Sequence, residues 1–263
     1  MDYENITELD LSYNGYNELF YELPDLSKYI NLKKLDCSKN KIVALDNLLP
    51  GLQKLYCSFN KIVALNNLPP GLQLLDCNDN EITRLDNLPQ ELKELNCYFN
   101  QITTLDYLPS GLQTLYCGGN KITRLDNLPP GLQTLYCPGN AIAKLDNLPP
   151  GLQTLYCNNN KLVVLDNLPP GLQTLDFSWN QITSLNNLPP GLKELNCGFN
   201  QIVALDNLPP GLQELDCSFN KIVALDNLPP GLQKLYCYHN PFIYNFKPTL
   251  ENIRNHNSRT SLN

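Results

Sequence analysis

The sequence predicts a solenoid of short parallel β-strands, stacked coil on coil and joined by extended, proline-fixed segments, with helix confined to the ends. Three observations predict it. Leu52, Leu72, Leu92, Leu112 and their successors to Leu232 recur every twenty residues, with Leu32 opening the series. A fixed period of that size marks a stacked repeat. Within a coil such as 112–131, apolar Leu115 and Cys117 alternate with polar Thr114 and Tyr116, the period of a half-buried strand. Pro-Pro-Gly then closes most coils. Two prolines supply no backbone donor and favour an extended, polyproline-like path, and so short a coil has no room for an outer helix.

In chain order, residues 1–31 read as an atypical first coil that covers the open end of the core. Ile6, Leu9, Leu11, Asn14 and Tyr16 keep the spacing of the repeat, but twenty-six residues separate Ile6 from Leu32. Pro24, Asp25, Leu26 and Ile30 suggest one helical turn on the outer side. An irregular terminal repeat is what a solenoid end requires. Residues 32–242 hold about eleven coils. Counting Leu112 as phase one, phases one, four and six (Leu, Leu, Cys) point inward, as do Ile, Leu and Leu at phases eleven, fourteen and seventeen. Phase nine is Asn in each coil, from Asn40 to Asn240. An Asn amide can serve several backbone groups of a bend, so a stacked row of them is expected to satisfy buried turns. Adjacent strands should lie about 4.8 Å apart. Residues 243–263 read as a closing segment, with a short helix over Pro248–Arg254 and a frayed end from His256.

Composition narrows the function. The net charge is −7, which disfavours a phosphate-binding groove and an anionic membrane surface. No apolar run reaches the roughly 18–20 residues of a membrane span. The opening MDYENITELD lacks the basic and apolar regions of a secretory leader. The ten cysteines, Cys37 to Cys237, all stand at phase six. A metal or redox centre is conceivable, but zinc requires clustered ligands and in-register thiols give poor disulfide torsions. Burial as small apolar side chains fits better. So many unpaired thiols suit a reducing, cytoplasmic compartment. Phe177 breaks the row, and Trp179 nearby is a candidate to accommodate its larger ring.

A row of aspartates at phase fifteen, such as Asp86, Asp106 and Asp126, admits stacked calcium sites or, more simply, Asx-type turns, with Lys61, Lys121 and Arg124 to offset the charge. Catalytic machinery is missing from the pattern: His239 and His256 are the two histidines, and there is no nucleophile elbow or phosphate loop. The expectation is therefore no enzyme, no metal and no cofactor.

The string LxxLxCxxNxI, carried by Leu112, Leu115, Cys117, Asn120 and Ile122, resembles the signature of leucine-rich repeats. The second half, LDNLPPGL, resembles the short LPxLPxxL repeat of bacterial secreted effectors, with Asp in place of the first Pro. The resemblance implies an α/β-type leucine-rich repeat solenoid with a parallel sheet on its concave face, and protein–protein recognition as its activity. Some such effectors carry a ubiquitin-ligase domain, for which the 21 residues after Phe242 leave no room. The near-identical coils are also similar to leucine-rich repeat proteins of giant DNA viruses that infect amoebae.

The positions free to vary are the exposed strand positions. Tyr116, Tyr136 and Tyr156 stand at phase five of three consecutive coils, beside Thr114, Thr134 and Thr154, with Gly118, Gly119, Pro138 and Gly139 removing bulk nearby. Phe59, Phe99, Trp179, Phe199 and Phe219 recur at phase eight. Tyrosine and tryptophan are favoured interface anchors, so Tyr116, Tyr136, Tyr156, Trp179 and the three threonines form the candidate partner-binding set. The competing reading is that the tyrosines stack to stabilise the sheet. Lys33, Lys34, Lys39 and Lys54 towards one end, and Glu194, Glu214 and Asp216 towards the other, would orient a partner. The expectation is a monomeric, cytoplasmic module that binds a protein, a host protein if the source is viral. The alternative is a structural or virion-associated repeat protein with no ligand groove. An ice-binding Thr and Gln ladder is a remoter option, interrupted by the tyrosines.

Overall fold

A computed structural model of the chain describes residues 3–260. The chain divides into two compact units, Met1–Tyr136 and Cys137–Asn263. The first holds a single 3₁₀ turn, Tyr3–Asn5, and strands β1 (Glu8–Asp10), β2 (Lys34–Asp36), β3 (Lys54–Tyr56), β4 (Leu74–Asp76), β5 (Glu94–Asn96), β6 (Thr114–Tyr116) and β7 (Thr134–Tyr136). The second holds β8 (Thr154–Tyr156), β9 (Thr174–Asp176), β10 (Glu194–Asn196), β11 (Glu214–Asp216), β12 (Lys234–Tyr236) and helix α1 (Leu250–Thr260). Within each unit consecutive strands pair in parallel, Leu95 beside Leu115 in the first and Leu195 beside Leu215 in the second. This is the parallel β-solenoid that the period of twenty predicts, with α1 as the single α-helix among the described residues.

Strands β2 to β11 keep their central Leu buried and the two flanking side chains half-exposed or exposed, as in Thr114–Leu115–Tyr116, whereas Leu9 and Leu235 of the end strands are only half-buried. The core of a coil is then built from rows. Leu112, Leu115, Cys117 and Ile122 are completely buried and Leu125 nearly so. Phe177 is buried too, in line with the cysteines. Burial of apolar area in these rows is the main driving force, at roughly 25 cal/mol per Å².

The row that joins coil to coil is the asparagine at phase nine. In the first unit, Asn100 Nδ2 donates to the carbonyls of Cys77 (3.0 Å), Cys97 (3.2 Å) and Tyr98 (3.0 Å), and its Oδ1 accepts the Ile82 N–H at 2.9 Å. Asn200 in the second unit does the same with Phe177, Cys197, Gly198 and Ile182. Each side chain thus serves two coils at once. Among the described residues no buried side-chain nitrogen or oxygen lacks a partner, as a long-lived interior requires.

The proline segment differs from expectation. It is a tight turn, not an extended strand: the Leu72 N–H donates to the Pro69 carbonyl at 3.1 Å, and Leu212 repeats this with Pro209. The turn draws the first proline inward, so Pro69 and Pro209 are buried while Leu68 and Leu208 at phase seventeen stay half-exposed. Proline suits the second position of such a turn because its φ is already set. The glycine is dispensable: Glu91 occupies its place and Leu92 still bonds Pro89 at 3.2 Å.

The two ends adapt the coil differently. In the first, the Phe20 N–H bonds Asn40 Oδ1 at 2.9 Å, as Ile42 does with Asn60. Phe20, not Tyr16, therefore fills phase eleven, and Tyr16 is 98 % exposed. The extra residues loop out between Asn14 and Leu32, where Asn14 serves Tyr16 and Asn17 locally. Residues 24–32 make turns, Tyr29 N–H to the Leu26 carbonyl and Leu32 N–H to that of Tyr29, with no helix. At the other end α1 begins after Thr249, whose Oγ1 accepts the Asn252 N–H, a capping arrangement. The helix continues past Arg254 to Thr260, where fraying was expected from His256. It is pinned there because Arg254 donates to the carbonyls of Pro229, Pro230 and Leu232, Asn257 donates to those of Leu225 and Asp226, and Ile253 is buried. The last residues of that segment, 261–263, lie outside the described part.

Two stability outcomes are expected. Asn100→Ala removes four hydrogen bonds from a buried site and orphans the Ile82 N–H, a loss of about 2–3 kcal/mol; a lowered urea midpoint and faster exchange of the Ile82 amide check it. Gly71→Ala is expected to stabilise by about 0.4–1 kcal/mol. Gly71 has no positive φ and an added Cβ meets nothing within 4 Å, so a thermal melt should rise.

Candidate functional site

The exposed strand positions of the first unit bring four of the predicted residues together. Thr114 pairs Thr134 and Tyr116 pairs Tyr136 across β6 and β7. The two tyrosine rings stack with centroids 4.8 Å apart and an angle of 25° between planes. Both are half-buried. Burial raises the Tyr116 hydroxyl pKa above its ordinary value, helped by Glu94 and by Tyr136 itself. The space beside them is not empty, as the glycines suggested. A Cβ built on Gly118 would lie 2.3 Å from the Tyr98 ring, and one on Gly119 2.4 Å from Phe99. The rings of the preceding coil lean into the room that the glycines vacate.

In the second unit, Thr154 and Tyr156 pair Thr174 and Asp176. Tyr156 lines an open recess of about 210 Å³ with Asp176, Glu194, Asn196, Glu214, Asp216 and Tyr236 among its walls. Its carboxylates are held in place: Asp176 accepts the Ser178 N–H and hydroxyl and the Asn196 amide, and Asp216 accepts the Ser218 N–H. Burial raises the Asp176 pKa against the lowering effect of these hydrogen bonds, with a further rise from Asp216. Lys234 pairs Glu214 at 2.7 Å on one flank. The predicted separation of charge holds locally, since Lys34 pairs Lys54 in the first unit and Glu194 pairs Glu214 in the second.

Trp179 is not among the residues that line the recess with Tyr156. It is 56 % exposed and belongs to a separate row. Phase eight is left-handed in every coil from Lys39 to His239, with φ between 47° and 63°. That turn sends the phase-eight N–H to the next coil, as with Trp179 to the Gly198 carbonyl at 3.0 Å, and drives the following Asn inward. The side chain is left outside. Trp179, Phe199, Phe219 and His239 consequently stack, with centroids 3.8, 4.1 and 4.2 Å apart and planes within 21°. Sequence reading found the aromatic recurrence but not its conformation, nor His239 as a member. The signal was present in Asp79, Gly119, Gly139 and Asn159 at the same phase, residues that tolerate positive φ.

The cysteine row packs into the core and the aspartate row borders a turn. All ten cysteines are buried and outside disulfides, and the Cys57 and Cys97 thiols donate to the Asp76 and Tyr116 carbonyls of the next coil. Burial pushes Cys37, Cys97 and Cys137 up to about 12 from the ordinary 9.0. No group of three His, Cys, Asp or Glu among the described residues could hold a metal. The phase-fifteen aspartates precede a second left-handed position, occupied by Asn127 and its equivalents and once by Tyr107. Arg124 pairs Asp126 at 2.6 Å, while Lys61 pairs Glu81 instead.

Two family models match, described as Leucine Rich repeats (2 copies) over residues 90–130 and Leucine Rich Repeat over residues 171–195 and 211–235. Among solved structures, YopM from Yersinia enterocolitica WA-314 superposes with a TM-score of 0.75 at 36% identity, over 92% of this chain and 57% of that one. The functional domain of InlJ from Listeria monocytogenes, which includes a cysteine ladder, gives 0.63 at 30% identity, over 82% and 60%. YopM from Yersinia pestis, a leucine-rich effector protein, gives 0.66 at 30% identity, over 89% and 78%. The chain thus spans less than two thirds of the first two. A search of curated proteins found no match.

The thiol environment has a measurable consequence. A thiol that stays neutral in the folded chain to about pH 12 but ionises from 9.0 when unfolded leaves stability intact below pH 9 and removes it between pH 9 and 12, by about 1.4 kcal/mol per unit for each such group. The urea midpoint should fall across that interval. At pH 8 a thiol-labelling reagent should modify the cysteines only after unfolding.

Proposed function

We propose that this chain, which belongs to the leucine-rich repeat family, is a non-catalytic module that binds another protein through the face bearing its strands. The observation that carries the proposal is the contrast between interior and exterior. The inward positions repeat almost without change, whereas the outward ones differ from coil to coil and gather Tyr116 and Tyr136 in one unit and Tyr156 above an acidic recess in the other. Half-buried tyrosines combine apolar area with a hydroxyl and lose little side-chain entropy on binding. Leucine-rich repeat domains generally mediate protein–protein interaction, and the repeat pattern offers none of the paired acids, bases or nucleophiles that catalysis needs.

A reducing compartment such as the cytoplasm suits ten buried cysteines outside disulfides. The likeness to a leucine-rich effector protein supports the reading of a protein partner. Tyr116→Ala, Tyr136→Ala and Tyr156→Ala together should reduce capture of a cytosolic partner at least about tenfold, with circular dichroism unchanged. Undiminished capture by the folded triple variant would refute the assignment of the tyrosines.

A further inference from the structure

The ring row of the second unit is not demanded by the fold. Phase eight needs a residue at positive φ, and the same chain meets that need with Gly119, Gly139 and Asn159. Trp179, Phe199 and Phe219 adopt φ of 56°, 52° and 55° against the preference of bulky side chains. Backbone strain kept at successive positions points to a use for the side chains.

The surroundings say what that use is. Stacking covers the faces of the inner rings, so the row offers a ridge of ring edges, with the Trp179 end facing a coil that holds Asn159 at this phase. Beside the ridge runs a floor of small residues, Ser178, Gly198 and Ser218, all buried. A Cβ built on Gly198 would stand 3.6 Å from Asp216 Oδ1, so the floor leads directly to the carboxylates of the recess. The ridge, floor and recess form one surface, apolar along one side and negative along the other. Phosphate backbones and anionic lipid are repelled by the acidic side. A sugar would need open ring faces, which stacking removes. A recess of about 210 Å³ is below the usual 300–1,000 Å³ of a small-molecule pocket and suits a single side chain.

We propose that the Trp179–Phe199–Phe219–His239 ridge docks a basic peptide segment of a partner protein, apolar side chains lying along the rings and an arginine reaching Asp176 and Asp216. The proposal rests on the protein-binding reading above and adds the chemistry of the partner. A guanidinium is favoured because its planar fork matches carboxylates held in place by Ser178, Asn196 and Ser218.

Trp179 is the only tryptophan, so its emission reports occupancy of the ridge directly. The probe is an acetylated, amidated pentapeptide alternating Arg and Leu, titrated into the full chain, beside a twin with Gln for Arg. The native chain should show a saturable emission change. The Gln twin should bind at least about tenfold more weakly, as should Phe199→Asn/Phe219→Asn. That double variant should melt no lower than the native chain, since Asn accepts positive φ. No emission change up to about 1 mM peptide, or equal binding by the Gln twin or by Phe199→Asn/Phe219→Asn, would overturn the proposal. If the ridge variant captures a cytosolic partner normally while the tyrosine triple variant does not, the ridge assignment alone fails. If both capture normally, the strand-face reading fails with it.

Discussion

Each coil depends on one asparagine side chain. A solenoid turns its chain sharply within a dry interior, and the carbonyls and N–H groups at that bend have no water to meet. The phase-nine amide meets them, three carbonyls and one N–H at a time, in two adjacent coils. No apolar residue offers this, and aspartate would bring a buried charge with acceptors only. Because the Asn of a coil ties it to the one before within each unit, as Asn100 and Asn200 do, those coils are held at a common spacing, and Leu, Cys and Ile rows are held in contact as a result.

The same bend dictates what the outside looks like. To aim phase nine inward, phase eight must turn left-handed, and its side chain is thrown outward at the identical place in successive coils. A short polar residue there leaves the surface low; a ring there must stack on the next ring or cover a gap. Both occur. Phe99 fills the space over Gly119 in the first unit, whereas Trp179, Phe199, Phe219 and His239 face one another in the second. The two units therefore share an interior and differ in surface: one presents a stacked tyrosine pair, the other an acidic recess beside a ring row.

The two most regular polar rows serve the closing of the coil. The cysteines fill the core beside the strands, small enough for the bend and able to give a weak hydrogen bond to the next coil. The phase-fifteen aspartates lead into a turn whose left-handed residue is the adjacent Asn. Regularity along a solenoid reports what every coil must do to close.

The sequence by itself determined the coil: its period, its short parallel strands, the inward Leu, Cys and Ile rows, the asparagine ladder and a terminal helix. All of these follow from spacing and residue type, because a repeat constrains the same atoms at every turn. Tertiary structure alone decided the rest. It made Pro-Pro-Gly a turn with a buried first proline, put Phe20 where Tyr16 was expected, and held α1 to Thr260 through Arg254 and Asn257. It also separated Trp179, in a row with Phe199 and Phe219, from the recess lined by Tyr156. Backbone handedness at phase eight decides that separation, and handedness is set by the hydrogen bond to the next coil, which no single repeat contains.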